Sequence, residues 1–199
     1  MTKNKIAPGG YIYPMPVVLV GANVKAKPNF NAIGWVSALE FNPPLISISS
    51  NQIHYNNVGI KENKTFSVNI PSEDMAEIID YCGLMSGRNI DKSAIFDVFY
   101  GELQTAPMIK EAPINMECKV IHIVNTTKIA NAPHGHDIFI GEVVQAYCEE
   151  KYLINGVPDI TKVKPITLGI VEKNKHFYWE LGNQCGRAFK MGLNYRKKE

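Results

Sequence analysis

The chain has 199 residues, of which 45% are hydrophobic and 20% charged, and its formal net charge is +2. A chain of this length buries roughly 70% of its unfolded surface, so one hydrophobic core can stabilise the fold without disulfide bonds or structural metal ions. Nucleic-acid-binding proteins usually carry a basic stripe, and the near-neutral charge argues against that class and against nucleic acid as a partner.

Extended segments dominate the chain and predict a mainly β fold with short helices, either a barrel or a sandwich. The predicted strands cover residues 17–21, 32–41, 45–50, 65–70, 114–124, 137–148 and 166–171. No Pro-, Gly- or Ser-rich linker divides them, so residues 1–199 are expected to form a single domain.

The stretch NFNAIGWVSALEFNPPLISIS, residues 29–49, has two unequal faces when it is extended. One face carries Ile33, Trp35, Leu39 and Phe41, and the other carries Ala32, Gly34, Val36 and Ala38. A strand usually buries its bulky apolar face and exposes its other face to solvent. A second face of small residues therefore indicates that something flat or close lies against it.

The end of that stretch, LISISS, alternates Ile with Ser, so its hydroxyls share one face and lead into the loop 51–56. Near Gly34 and Trp35 in an antiparallel pair, these groups can surround a planar ligand. An ordinary edge strand with a wet face explains the same pattern.

One helix is well signalled after residue 70. Pro71 and Ser72 favour its start, apolar residues recur at helical spacing from Met75, and Gly83 or Gly87 ends it. A second short helix is predicted over residues 183–191, and NNVGIKEN, residues 56–63, is expected to form one or two turns.

The segment GLMSGRNIDK, residues 83–92, follows the first helix and combines two glycines with Ser86, Arg88 and Lys92. Such a loop can hold a phosphate, because glycine backbones turn sharply and cations form charge-assisted hydrogen bonds. A solvated helix terminus explains the composition equally well, since Arg and Lys favour the negative end of a helix.

Common catalytic signatures are missing, including G-x-S-x-G, G-x-x-x-x-G-K-[ST], G-x-G-x-x-G and H-E-x-x-H. His134 and His136 are two residues apart and could share one face of a strand as metal ligands, with Glu142 downstream. A polar loop is the simpler interpretation of the two histidines. The cysteines at 82, 118, 148 and 185 are spaced thirty or more apart and are expected to be buried thiols. No metal is expected.

The longest apolar run near the start, residues 16–22, is far too short to span a bilayer, and Lys3 and Lys5 precede no signal-peptide core. We therefore expect a cytoplasmic protein with no membrane partner.

Six stretches, taken in order from Pro14 to Gly182, resemble the flavin reductase-like proteins, particularly the flavoredoxin branch. They are NFNAIGWVSALEFNPPLISIS, HYNNVGIKENKTFSVNIPS, DYCGLMSGRNIDKSAIFDVFYG, TAPMIKEAPINMECKV, HDIFIGEV and YWELG. The resemblance implies a split β-barrel that binds FMN without a covalent link. It also implies a homodimer with each flavin close to the subunit boundary.

The resemblance also implies a set of cofactor-binding residues. They are Asn31 and Trp35 beside the flavin, Ser47, Ile48, Ser49 and Ser50 with backbone along the ring, Asn56, Lys92 and Arg88 at the phosphate, His136 near the cofactor, and Tyr178 or Trp179 at the margin. Similar proteins usually have Thr or Ser at the position of Asn56, whose amide is longer than a hydroxyl. Pro133 and His134 make the loop before His136 atypical.

Flavin chemistry explains why no acid–base dyad or nucleophile stands out, because the cofactor itself accepts hydride or single electrons. The resemblance thus implies an oxidoreductase that passes electrons from NAD(P)H or a reduced iron–sulfur protein such as a ferredoxin, through FMN, to an acceptor. Two alternatives remain open: a non-catalytic barrel module that holds flavin or haem, and a metal-dependent barrel enzyme that uses His134, His136 and Glu142.

Overall fold

The structure, a computed structural model, describes residues 2–130, 132–172 and 175–193. Its strands in chain order are β1 (Met15–Pro16), β2 (Val18–Val24), β3 (Lys27–Ile33), β4 (Val36–Phe41), β5 (Pro44–Asn51), β6 (Thr65–Ile70), β7 (Val98–Phe99), β8 (Met108–Ile109), β9 (Ile114–Asn125), β10 (His136–Cys148), β11 (Leu153–Ile154), β12 (Val157–Pro158), β13 (Thr167–Glu172) and β14 (Lys175–Trp179). Its helices are α1 (Asn56–Asn63), α2 (Ala76–Leu84), α3 (Thr126–Ala130) and α4 (Ile160–Val163), with 3-10 turns at Glu73–Met75, Lys92–Ile95 and Glu150–Tyr152.

The main sheet has seven antiparallel strands in the order β3-β2-β6-β9-β10-β5-β4. Its two edges, β3 and β4, are separated in the chain by Gly34 and Trp35 alone. In a flat sheet these edges would lie roughly 29 Å apart, at six spacings of about 4.8 Å. The three Cα–Cα steps from Ile33 to Val36 span at most about 11 Å. The sheet therefore curls into a split barrel, which confirms the predicted fold class.

Apolar side chains on both faces of β2 join two clusters, and all seven residues of this strand are buried. The first cluster fills the curled sheet and contains Val18, Val20, Ala22, Ile33, Ile46, Ile48, Ile60, Phe66, Val68, Cys118 and Phe139. The second contains Val17, Leu19, Phe30, Met75, Ile79, Cys82, Phe96, Ile109, Ala112 and Ile166. Because successive strand residues point to opposite faces, Leu19 lies in the cluster that α2 covers.

The helix α1 is polar in sequence and nevertheless lies flat on β2. Gly59 permits this approach, because a Cβ there would fall 2.1 Å from the backbone oxygen of Asn23. The first two residues of α1, Asn56 and Asn57, are each only 2% exposed. The close packing thus fixes the position of two polar side chains beneath the end of β5.

Most predicted elements are confirmed. The strands predicted over 45–50, 65–70, 114–124, 137–148 and 166–171 match β5, β6, β9, β10 and β13, and residues 17–21 lie largely within β2. The helix signalled after residue 70 begins with a 3-10 turn and continues as α2, and NNVGIKEN forms α1. No helix in the described parts of the chain is long and apolar enough to cross a membrane.

The strand predicted over residues 32–41 is broken at Gly34 and Trp35, where the chain passes from one sheet edge to the other. Its bulky face is buried only at Ile33, whereas Trp35 is 56% and Phe41 94% exposed. Val36, from the face of small residues, packs against the barrel core instead. The curl of the sheet thus reverses the expected burial of this stretch.

The helix predicted over residues 183–191 is wrong, since the structure has no regular secondary structure at residues 183–187 and turns at residues 188–191. This segment is exposed throughout, and a helix shorter than about 12 residues is marginal without packing. The cysteine prediction holds for two of the four thiols: Cys82 and Cys118 are buried, Cys148 is half-buried and Cys185 is exposed.

We expect Gly59→Ala to lower the free energy of unfolding by about 3 kcal/mol, because the added methyl group would overlap the backbone of β2. The matched control is Gly182→Ala, whose Cβ meets no atom within 4 Å, with an expected change of about 0.5 kcal/mol or less. Urea denaturation followed by circular dichroism measures both. Equal stability of the two variants would contradict the close contact of α1 with β2.

Candidate functional site

The ammonium group of Lys92 is buried at the end of α2. Its side chain is 2% exposed, and Nζ donates to the backbone oxygens of Cys82 and Met85, each at 3.0 Å. Within the described residues, no carboxylate lies at ion-pair distance from it. Burial also raises the pKa of the neighbouring Cys82 thiol to about 11, so this thiol supplies no negative charge.

A buried cation without a counterion is costly, and burial lowers the pKa of Lys92 accordingly. A lysine ammonium has three donors, of which the two carbonyls use two. The third donor and the uncompensated charge are therefore available to an anion.

Lys92 lines a cavity of about 320 Å³ together with Asn29, Asn31, His54 and Arg88. The remaining walls come from residues 83–87 and the turn at residues 53–55, and no Asp or Glu of the described chain lines it. Three of the lining side chains are basic or can become so. The cavity is consequently suited to a compact anion such as a phosphate group.

Arg88 closes one side of this cavity from the loop after α2. Its Nη1 donates to the backbone oxygen of Ile53 at 2.8 Å, and its guanidinium lies 5.1 Å from the centre of the Tyr55 ring. Both contacts tie the loop to the turn between β5 and α1. The predicted phosphate loop is thus held against the barrel.

Asn56 lies behind the cavity wall. It is 2% exposed, its Nδ2 donates to the backbone oxygen of Val20 at 2.7 Å, and its Oδ1 accepts from Nδ2 of Asn29. Asn29 lines the cavity and Asn56 does not. The structure therefore brings Asn29 to the position where the resemblance implied Asn56.

Sequence reasoning missed Asn29 as a site residue. The available signal was the spacing in NFNAIG, where Asn29 and Asn31 are two apart on β3 and point to the same face. Gly87 packs closely on Asn29, because a Cβ at Gly87 would fall 2.0 Å from its Oδ1.

A second cavity, of about 420 Å³, lies at the outer face of β4 and β5. Trp35, Ser47 and Ser49 line it, together with Ile138 of β10 and residues 10–16 of the N-terminal segment. The Trp35 ring stacks at 32° on the His136 imidazole, with ring centroids 4.8 Å apart. An elongated slot with an aromatic wall and two hydroxyls suits a flat polar ring.

The other two residues predicted at the end of β5 point away from this slot. Ile48 is fully buried in the barrel core, so only its backbone can border a ligand, as the resemblance implies. Ser50 is 2% exposed, and its hydroxyl donates to Oδ1 of Asn57 at 2.6 Å.

Tyr178 and Trp179 line neither cavity. The Tyr178 hydroxyl donates to Oδ1 of Asp80 at 3.0 Å, and burial together with Asp80 raises the pKa of Tyr178 to about 12. Trp179 lies with Val171 and Phe177 at a separate exposed groove. The structure therefore does not bring these two aromatic residues to the other predicted site residues.

The described residues contain no group of three or more His, Cys, Asp or Glu side chains placed to hold a metal ion. His136 opens β10, Glu142 lies six residues along that strand, and His134 lies in the preceding turn. The three ligands of the metal-dependent alternative are not assembled in this chain.

Comparison with known proteins agrees with this geometry. Residues 10–157 match the family model of the flavin reductase like domain. The crystal structure of flavoredoxin from Methanosarcina acetivorans is similar, with 47% identity over 97% of this chain and 98% of that one and a TM-score of 0.89. Flavoredoxin of Desulfovibrio vulgaris (Miyazaki F) has 31% identity over 96% and 100% of the two chains, with a TM-score of 0.83.

The chain is also similar to nitrilotriacetate monooxygenase component B from Bacillus cereus, with 25% identity over 89% of both chains and a TM-score of 0.78. The family match covers well over half of the sequence, and it supports FMN as the cofactor. The curled sheet and these likenesses lead to one conclusion: the chain belongs to the flavin reductase-like family, on its flavoredoxin branch.

Proposed function

We propose that this chain is an FMN-dependent oxidoreductase of the flavoredoxin type. It takes electrons from NAD(P)H or from a reduced iron–sulfur protein and delivers them, through non-covalently bound FMN, to an acceptor. The observation that carries the proposal is the buried Lys92 ammonium, which faces a cavity rich in donors and has no carboxylate partner in the described chain.

The phosphate of FMN would occupy the cavity of Lys92. Lys92 and Arg88 provide positive charge, and Asn29 and Ser86 provide further polar groups at its wall. Charge-assisted hydrogen bonds are roughly twice as strong as neutral ones. These residues bind the cofactor and take no part in the redox chemistry.

The isoalloxazine ring would occupy the slot beside Trp35. Ser47 and Ser49 offer hydroxyls to its polar edge, and Trp35 covers it with an aromatic surface. Bound FMN supplies hydride and single-electron chemistry, while the protein positions the ring and limits its contact with water. His136 holds the Trp35 ring through their stacked contact.

We further propose that the protein works as a homodimer. Trp35, Leu39 and Phe41 are exposed beside the proposed ring slot, with Phe41 94% exposed. Large apolar groups clustered on one outer surface commonly mark a protein interface. A second copy seated there would cover the slot from outside.

Reduction of the bound cofactor separates this proposal from a non-catalytic flavin module. We expect the FMN-loaded protein to bleach near 450 nm under anaerobic conditions with NADH, NADPH or reduced ferredoxin, and to regain its colour with an acceptor. Stopped-flow absorbance with each donor measures this. If no donor bleaches the flavin, the non-catalytic alternative is favoured.

The variant Lys92→Met retains the apolar stem and removes the charge. We expect it to weaken FMN binding by about 1.5–3 kcal/mol, roughly 10- to 150-fold, and to leave riboflavin binding nearly unchanged, because riboflavin lacks the phosphate. Fluorescence titration with both ligands measures the difference, with exposed Lys110→Met as the control. Equal losses for FMN and riboflavin would refute the phosphate role.

Gly87→Ala tests Asn29 without changing a charge. The added Cβ would displace the Asn29 side chain from the cavity wall, so we expect FMN affinity to fall at least about tenfold. Gly182→Ala is the control, because Gly182 lines neither cavity and a Cβ there would meet no atom within 4 Å. Calorimetric titration should show little change for that control, and similar affinities for both variants would contradict the role of Asn29.

A further inference from the structure

The His54 ring is fixed by one edge and free at the other. Its Nδ1 lies 3.0 Å from the Ser50 hydroxyl oxygen and 3.2 Å from the Asn31 amide. Its Nε2 makes no hydrogen bond within the described chain. Every buried side-chain nitrogen or oxygen atom there has a hydrogen-bond partner, so Nε2 is not a buried atom. Nε2 is therefore open, and the ring lines the cavity that contains Arg88 and Lys92.

The hydrogen bonds behind the ring fix which nitrogen carries the proton. Nδ2 of Asn57 donates to the backbone oxygen of Asn51 at 3.0 Å and to Oδ2 of Asp137 at 3.4 Å, so its Oδ1 must accept. Ser50 donates its single proton to that Oδ1 at 2.6 Å. Towards His54, the Ser50 oxygen can then only accept, which places a proton on Nδ1.

Asp137 makes this orientation rigid. It is 1% exposed, pairs with Lys61 at 2.6 Å, and accepts from the Asn57 amide at 3.4 Å. Beside this proton, Asn31 Nδ2 lies 3.2 Å from Nδ1 and donates to the backbone oxygen of Ala32 at 3.3 Å. The Nδ1–H tautomer therefore requires the Asn31 amide to turn its oxygen towards the ring and to give up that long bond. In this arrangement Nε2 is a bare acceptor on a ring that lines the cavity.

The charged and titratable groups around the ring explain why it is neutral in the empty site. Lys92 and Arg88 share its cavity, Tyr55 is next in the chain, His136 approaches from β10, and Asp137 acts through Asn57. Burial, then His136 and Lys92, lower the pKa of His54. A phosphate dianion between these cations would reverse the local charge and favour a second proton on the ring.

We propose that His54 binds the phosphate group of the cofactor by taking up a proton from solvent on Nε2 and donating that proton to a phosphate oxygen. The ring is neutral with Nδ1–H in the empty site and an imidazolium in the complex. This inference rests on the proposed FMN function and adds to it a protonation of His54 that is coupled to FMN binding. Riboflavin lacks the phosphate and is not expected to cause this protonation.

The proton uptake has a definite sign. The pKa of His54 is lower in the free protein than in the FMN complex. FMN affinity therefore rises as the pH falls through the His54 pKa of the complex. The rise in affinity is complete once the pH is below the His54 pKa of the free protein. Each unit of difference between the two pKa values corresponds to a factor of ten in FMN affinity. Protonation of the FMN phosphate itself, near pH 6, opposes this gain. The comparison must therefore be made against a variant that cannot titrate.

Histidine-detected ¹H–¹⁵N NMR tests the proposal directly. We expect His54 in the free protein to show the Nδ1–H tautomer, and its pKa to rise by at least one unit with saturating FMN and to stay unchanged with riboflavin. Its signal is assigned by its loss in His54→Gln, and His122→Gln, at an exposed position on β9, is the matched control. From pH 8 to pH 6, FMN affinity in the wild type should gain about tenfold relative to His54→Gln.

The possible outcomes distinguish failure of this inference from failure of the proposed FMN function. FMN binding with an unchanged His54 pKa, or with the Nε2–H tautomer in the free protein, would overturn the proton uptake and leave the cofactor assignment standing. Failure to bind FMN at all would overturn both.

Discussion

The site depends on one uncompensated buried charge. Lys92 Nζ is held between the backbone oxygens of Cys82 and Met85, and no carboxylate in the described chain neutralises it. Desolvation of such a cation costs several kcal/mol unless an anion or further hydrogen bonds compensate it. The carbonyls at the end of α2 offset part of that cost, and a bound phosphate would offset the rest. The charge of Lys92 thus favours an anion at this site.

The curl of the main sheet brings the ends of its two edge strands close together. The link between β3 and β4 contains only Gly34 and Trp35, so Trp35 directly follows the edge strand that carries Asn29 and Asn31. Beneath this junction, α1 lies close on β2 because Gly59 has no side chain, and this brings the Asn56 amide against Asn29. A packing contact between α1 and β2 therefore helps to set the position of an amide that lines the cavity.

Much of this could be predicted from the sequence, because local patterns carry it. The segment GLMSGRNIDK pointed to Lys92 and Arg88, and the alternation in LISISS pointed to Ser47 and Ser49, which do line the cavities. What was missed depends on long-range geometry. That Asn29 and not Asn56 lines the cavity follows from the close packing of α1 on β2, and the break at Trp35 follows from the curl of a seven-stranded sheet. The placement of Tyr178 depends on the pairing of β13 with β14 and on its bond to Asp80.

The most direct measurement is a crystal structure of the protein with FMN bound. The account predicts a phosphate oxygen about 3 Å from Lys92 Nζ, within hydrogen-bond distance of the buried ammonium. It also predicts the flavin ring in the slot beside Trp35. A phosphate bound elsewhere on the surface, with Lys92 still bonded only to the two carbonyls, would contradict the account.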